Sequence, residues 1–354
     1  MRFPCVTINL KKIEHNAEKL VKWCSERQIE VMAVTKGICG LDKVVRTFIK
    51  GGAKKLGDSR IENIVSLKQA GISIPIYLLR IPMLSEVEDV VRWADGSLNS
   101  EVKVIEALSA AAKTLGKKHK VILMVEAGDL REGVMPENVL DTVSEIIKLS
   151  NIEFEGIGTN LGCYGGVKAS YDNMKLLVDL ATDIEQTFGI EVKTISGGNS
   201  STLMLLKQGG LPKGITQFRL GEGILLGNDP STSRPLPDTY QDAILLKAEV
   251  IEVKTKPSYP IGEIGLDAFG NKPFFEDKGL MRRAIVALGK QDCRIEGLAP
   301  VDKSIDILGA SSDHLLLDVT KNKDIKVGSI VEFNLSYGAL LGLMTSKYVK
   351  KYII

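Results

Sequence analysis

Lys36 closes an apolar, β-rich run, Val31-Met32-Ala33-Val34-Thr35, and opens onto the turn Gly37-Ile38-Cys39-Gly40. An amine at the end of a buried strand is placed to form a Schiff base with a bound carbonyl compound. Burial also lowers an ammonium pKa enough for the amine to act as a base near neutrality, which a solvated surface lysine does not do. Two glycine-bearing segments share this strand-end position. Gly197-Gly198-Asn199-Ser200-Ser201 leads into a helix, and Arg219-Leu220-Gly221-Glu222-Gly223 ends the strand signal that begins at Gln217. Glycines admit close backbone approach, and hydroxyls with the free amides of a helix start make an anion site. Either segment alone reads equally as a tight turn. Two at neighbouring strands, facing a strand-end lysine, describe a phosphate cradle beside a reactive amine, which is what pyridoxal 5'-phosphate requires.

These residues need elements to hold them. Strand signals begin near Val31, Ala53, Ile76, Gly96, Val121, Phe154, Val192 and Gln217, with amphipathic stretches between them. Ile13, Ala17, Leu20, Val21 and Cys24 recur at helical spacing, as do Val104, Ile105, Leu108, Ala111, Ala112 and Leu115. A further helix starts with Pro136 in its first turn and carries Val139, Leu140, Val143, Ile146 and Ile147. Eight strands, each tied to a helix, predict a (β/α)8 TIM barrel over residues 11–227, where active sites lie at strand C-termini. A doubly wound open sheet is the alternative and usually shows fewer regular units. After Gly227 a proline-rich connector, Asn228 to Pro237, ends the alternation. Beyond it helix patterns disappear. Ala243 to Val253, Ala284 to Leu288, Ser304 to Leu308, His314 to Val319 and Ile330 to Leu335 predict a C-terminal β domain over 238–354. Residues 1–10 carry a lone strand that must pair somewhere, and this β domain is the expected place.

The 354 residues exceed one core, and 44% hydrophobic with 25% charged is ordinary for a globular chain. Against 46 basic residues stand 44 acidic ones, and Lys117-Lys118-His119-Lys120 reads as a solvated turn, so nucleic acid is not implied. Cys5, Cys24, Cys39, Cys163 and Cys293 are odd in number and form no CxxC pair, which argues for free thiols in a reducing cytoplasm. His15, His119 and His314 leave little material for a histidine metal site, and none is expected. Met1 to Leu10 lacks a signal-peptide core, and no apolar run approaches membrane-spanning length.

With these residues in place, the chain resembles the alanine racemase-like, fold-type III family of pyridoxal-phosphate enzymes over nearly its whole length. The resemblance runs through Thr7-Ile8-Asn9-Leu10, Asn16 and Leu20, and Val34-Thr35-Lys36. It continues through Glu126 to Gly133, Glu155-Gly156-Ile157-Gly158-Thr159-Asn160, Gly198-Asn199-Ser200-Ser201 and Phe218-Arg219-Leu220-Gly221. Gly158-Thr159-Asn160-Leu161-Gly162-Cys163-Tyr164 is most similar to the alanine/ornithine racemase subgroup, with ornithine racemisation the closest named activity. The resemblance implies that Lys36 carries the cofactor and exchanges the α-proton on one face. Asn199, Ser200, Gly221 and Glu222 would line the phosphate site, Arg219 would face the pyridine nitrogen, and Tyr337 would touch phosphate. Arg131 would approach the cofactor phenolic oxygen or the substrate carboxylate. Tyr259, in a β domain supplied by the second subunit of a homodimer, would serve the opposite face. Asp313 would lie in the substrate loop.

Some positions depart from the family pattern. Asn160 stands where alanine racemases have histidine, Glu222 replaces an apolar residue, and the methionine usual near Asp313 is absent. A substrate with a second amine needs a carboxylate partner, and Asp313, Asp129 and Glu222 are the candidates. The implied activity is two-base racemisation of ornithine, with alanine, lysine or broad-specificity racemisation as alternatives. A non-catalytic pyridoxal-phosphate homeostasis protein is the reading from another class. Such chains end at the barrel, whereas this one continues to Ile354. A decarboxylase or an aldolase on the same scaffold would want a cysteine or histidine constellation that Cys293 and His314 do not supply.

Overall fold

A computed structural model describes residues 1–354 as two compact units, Lys11–Tyr240 and, separately, Met1–Leu10 with Gln241–Ile354. Strand β1 (Cys5–Ile8) belongs to the second unit. The first unit is a closed barrel of parallel strands: β2 (Glu30–Val34), β3 (Lys55–Asp58), β4 (Ile76–Leu78), β5 (Gly96–Asn99), β6 (His119–Met124), β7 (Ile152–Gly158), β8 (Thr194–Asn199) and β9 (Gln217–Leu220). The expected (β/α)8 barrel is therefore present. Its strands are short, and β2, β4 and β6 are mostly apolar, because a parallel sheet with helices outside is buried on both faces. Val121, Ile122, Leu123 and Met124 of β6 are all fully buried. Met32, Tyr77, Leu98, Ile122 and Met124 fill the interior, with Leu79 packed against them.

The surrounding helices follow their apolar stripes. Leu10–Ser25 buries Ile13, Ala17, Leu20 and Cys24 at helical spacing. The same face buries Asn16, which is fully satisfied: its amide donates to the carbonyls of Ile224 (3.1 Å) and Tyr240 (2.9 Å) and accepts from the Tyr240 N–H (2.7 Å). Tyr171–Phe188 begins on Ser170, whose hydroxyl accepts from the Asn173 N–H, and ends on Gly189 at φ +66. No helix is long and apolar enough to cross a membrane.

In the second unit, strand Ile244–Pro257 pairs antiparallel with β1, with Leu280–Val286 and with Ile330–Leu335. β1 also pairs in parallel with the C-terminal strand Lys350–Ile353. Two readings are corrected: His119, read in a solvated turn, is buried in β6, and a helix stands where none was expected. Residues Tyr337–Thr345 form a helix, started by the Ser336 hydroxyl accepting from the Ala339 N–H at 3.3 Å. Its sequence, Tyr-Gly-Ala-Leu-Leu-Gly-Leu-Met-Thr, is apolar nearly throughout and holds two glycines. It therefore carries no amphipathic period to read.

Candidate active site

The register of the barrel assembles the strand-end residues. Val34 of β2 lies opposite Gly57 of β3, Ala33 opposite Leu220 of β9, and Asn199 of β8 opposite Arg219 of β9. Lys36 thus emerges at the rim between the ends of β3 and β9. The Thr35 hydroxyl donates to the Asp58 carboxylate at 2.6 Å, and Asp58 accepts also from Asn63 (3.0 Å) and the Arg60 N–H (2.9 Å). This fixes the backbone from which Lys36 projects. Burial lowers the Lys36 pKa from its ordinary value; Arg131 pushes the same way, while Cys163, Asp58 and Glu132 oppose. Burial raises the pKa of Asp58.

Arg219, 4% exposed, donates to the Ser196 hydroxyl and, at 2.6 Å, to the Thr159 carbonyl. Burial pulls its pKa down to about 10, so it remains a cation at neutral pH. The next turn is a cradle. The Ser200 hydroxyl accepts from the Gly223 N–H at 3.1 Å. A methyl group on Gly221 would stand 3.2 Å from Val34 Cβ, and one on Gly223 would stand 3.2 Å from Ser200 Oγ. Asn199 is committed to framing the site: its amide accepts from the Ser201 N–H (2.8 Å) and donates to Leu161 O (2.8 Å) and Asn160 Oδ1 (3.1 Å). Three buried polar atoms along this rim have no hydrogen-bond partner, namely Thr159 Oγ1, Asn160 Nδ2 and Ser201 Oγ. Buried polar groups are normally paired. With the Lys36 amine and the glycine amides, these residues could hold a phosphorylated cofactor bearing a carbonyl group. Glu222 is set differently: burial first, and then the charge of Asp229, push its pKa up to about 7.

Arg131 follows β6. At this residue burial lowers the pKa, but the hydrogen bond and charge of Glu132 outweigh it and the value is raised. The turn that carries it is held by Glu126, which accepts from the N–H groups of Gly128 (2.6 Å) and Arg131 (3.1 Å). Asp129, weighed above as a partner for a substrate amine, is buried and accepts four backbone N–H groups, those of Gly162, Cys163, Tyr164 and Val167. Of the residues singled out in sequence, Lys36, Arg131, Asn199, Ser200, Arg219, Gly221 and Glu222 all lie in the barrel unit. Tyr259, Asp313 and Tyr337 lie in the β unit. There Tyr259 is 43% exposed with its ring edge-on to Phe275, and exposed Asp313 accepts from Gln291 and from the Ser312 hydroxyl (2.7 Å). Asp58, Ser196 and Thr159 were not singled out by sequence reasoning. Their roles follow from strand register, and only the even spacing of barrel strands hints at it.

The profile of the family described as "Alanine racemase, N-terminal domain" matches residues 8–229. An ornithine racemase of Acetoanaerobium sticklandii is 46% identical over 99% of this chain and 100% of its own. A lysine racemase of Thermotoga maritima is 43% identical over 99% of this chain and 98% of its own. In solved structures, an alanine racemase of Clostridium difficile 630 superposes with a TM-score of 0.76 at 21% identity, covering 100% of this chain and 96% of that one. A D-threonine aldolase from Filomicrobium marinum gives 0.76 at 15% identity, covering 97% and 89%. These two structural likenesses establish the shared fold, and it is the sequence match, spanning the strand-end lysine, the glycine cradle and the β unit beyond them, that makes this chain a member of the alanine racemase family.

Proposed function

We propose that this amino-acid racemase interconverts L- and D-ornithine with pyridoxal 5'-phosphate as its cofactor, working as a homodimer in the cytoplasm. The observation that carries the reading is the buried Lys36 amine, set on one barrel rim with Arg219, Arg131 and the Ser200–Gly223 cradle. The residues fit the cofactor. Orphaned buried polar atoms at Thr159, Asn160 and Ser201 supply donors, and the glycines leave the cradle free of side chains. Ser200 and the amides at Gly221 and Glu222 would hold the phosphate, with Asn199 framing them and the Tyr337 hydroxyl adding a further contact. Arg219 would face the pyridine nitrogen. When bound, the cofactor withdraws electrons from the substrate α-carbon and so acidifies its proton.

The chain supplies the rest. Lys36 would carry the cofactor, and its amine would take or return the α-proton on one face; its depressed pKa keeps more of it neutral than a solvated lysine would be. Tyr259, supplied by a second copy of the chain, serves the opposite face. Arg131 receives the substrate carboxylate, and Asp313 receives the distal amine. Glu222 and Asp129 are set aside for that amine, the first because burial favours its neutral form and the second because its carboxylate is filled by backbone. Lysine is the second reading, favoured by the 43% identity to a lysine racemase.

Incubating purified protein with L-ornithine, L-lysine, L-alanine and L-serine, followed by chiral chromatography, tests the proposal. D-ornithine formed fastest, without carbon dioxide or aldehyde, supports it. Racemisation of alanine alone would overturn the substrate assignment.

A further inference from the structure

Asp129 is a carboxylate without a task in the chemistry above, yet it is 1% exposed. Its two oxygens divide four backbone donors between them. Oδ1 accepts from Gly162 (3.1 Å) and Val167 (3.3 Å), and Oδ2 from Cys163 (3.2 Å) and Tyr164 (2.9 Å). Such a ring of amides is an anion-binding nest, and here the anion is a side chain of the same molecule. The loop's glycines make the curve possible: Gly162 and Gly166 sit at φ +70 and +69. Gly165 admits the contact, since a methyl group there would stand 2.8 Å from the Asp129 carbonyl oxygen. Burial raises the Asp129 pKa, but the four N–H groups outweigh it and the value is lowered, so the carboxylate is charged at neutral pH.

The two loops joined in this way carry different parts of the rim. One, held by Glu126, presents Arg131 two residues beyond Asp129. The other presents Asn160 and Cys163, and Cys163 shares an electrostatic neighbourhood with Lys36, Arg131 and Arg219. Lys36 itself stands on a separate support, the Thr35–Asp58 hydrogen bond. We propose that Asp129 is a positioning residue: it clamps the 162–167 loop to the Arg131 loop and so sets substrate binding without touching substrate. The kinetic part rests on the racemase reading given above, whereas the clamp itself does not.

The test uses the full-length holoenzyme and Asp129→Asn. The amide keeps one acceptor oxygen and turns an NH2 group toward the other two backbone donors. Hydrogen exchange of the peptide covering 161–168 should accelerate about tenfold or more at two amides, the change expected for losing charge-assisted hydrogen bonds. KM for ornithine should rise about tenfold with kcat within about threefold, since Arg131 shifts and Lys36 does not. A general loss of folded protein would instead lower kcat and leave KM unmoved. Gly165→Ala should reproduce the pattern with the carboxylate intact. Unchanged exchange in Asp129→Asn overturns the clamp. Faster exchange with KM unaltered overturns the positioning role. If the wild-type chain racemised no amino acid, the racemase reading and the kinetic role would fall together, and exchange alone would still decide the clamp.

Discussion

Replacing Arg219 by methionine sets large opposing terms against each other. Burial pulls the guanidinium from 12.5 to about 10, so at pH 7 the fold bears a desolvation cost on the order of 3 kcal/mol that a neutral side chain removes. Against this stand two charge-assisted hydrogen bonds, to the Ser196 hydroxyl and the Thr159 carbonyl, together about 3–6 kcal/mol. The balance is a loss of roughly 0–3 kcal/mol, or at most about 10 °C in melting temperature for a unit of this size. The unit therefore stays folded. The effect on racemisation is of a different order. A preorganised cation at the reacting group is worth about a hundredfold in rate, and chiral chromatography of ornithine should show a drop of that size. Arg219→Lys keeps the charge but not the planar fork that reaches two acceptors on different strands, so it should recover only part of the rate. A methionine variant that melts within 10 °C of wild type and racemises within about threefold of it would refute the assignment of Arg219 to the reacting centre.

The remaining expectations are simpler. Lys36→Met should abolish racemisation, and borohydride should no longer label the peptide containing residue 36; because burial disfavours the ammonium, the melting temperature at pH 7 should be equal or higher. The depressed Lys36 pKa means that the neutral base forms at lower pH than in free lysine, so kcat should rise with pH and level off below 10.5. Gly221→Ala places a methyl group 3.2 Å from Val34 Cβ and should weaken pyridoxal-phosphate affinity, read by equilibrium dialysis, with little change in melting. Lys55→Met breaks a half-buried pair with Glu155 at 3.0 Å, leaves the buried Glu155 carboxylate without its cation, and should cost about 3 kcal/mol in urea unfolding while leaving kcat unchanged. Glu155 stabilises above its unfolded value of 4.5, because Lys55 and Tyr77 outweigh burial and lower its pKa, and that stability fades as pH falls through the folded value.

Sequence carried the parts of this site whose chemistry is local. Lys36 ends an apolar run, Ser200 follows paired glycines, and Gly221 follows a strand arginine; each is legible because strand, turn and helix start are written in neighbouring residues. Asp58 was invisible. Nothing near Gly57-Asp58-Ser59 marks a partner for Thr35, and only the pairing of Val34 with Gly57 brings the two together. Asp129 was legible as an acid in a motif but not as a clamp, since its partners lie more than thirty residues away. The helix Tyr337–Thr345 was hidden for the opposite reason: its residues are apolar on most sides, so no period distinguishes it from a buried strand.

The same barrel holds a second, partly buried cluster of titratable groups, and the contrast between the two explains why the other is the candidate site. Glu155 accepts from Tyr77 (2.5 Å), Lys55 (3.0 Å) and Thr194 (3.3 Å), and Lys55 also meets Glu30 at 3.2 Å. Lys55 and Glu30 are the first residues of β3 and β2, the end of a barrel where side chains serve stability. Every charge there has a partner of opposite sign or a hydrogen-bond donor, so the low dielectric strengthens the cluster and leaves no charge for a ligand to neutralise, although the neighbouring Gln217 amide nitrogen is unpaired. At the other rim the cations Lys36, Arg131 and Arg219 converge, and Thr159, Asn160 and Ser201 keep buried polar atoms unpaired. An unpaired buried group costs about 1–3 kcal/mol, and a convergence of cations costs more. A fold retains such an arrangement where an anionic ligand relieves it. Burial and shifted pKa values mark both ends of this barrel; several unpaired buried polar atoms beside converging cations mark the rim that bears Lys36.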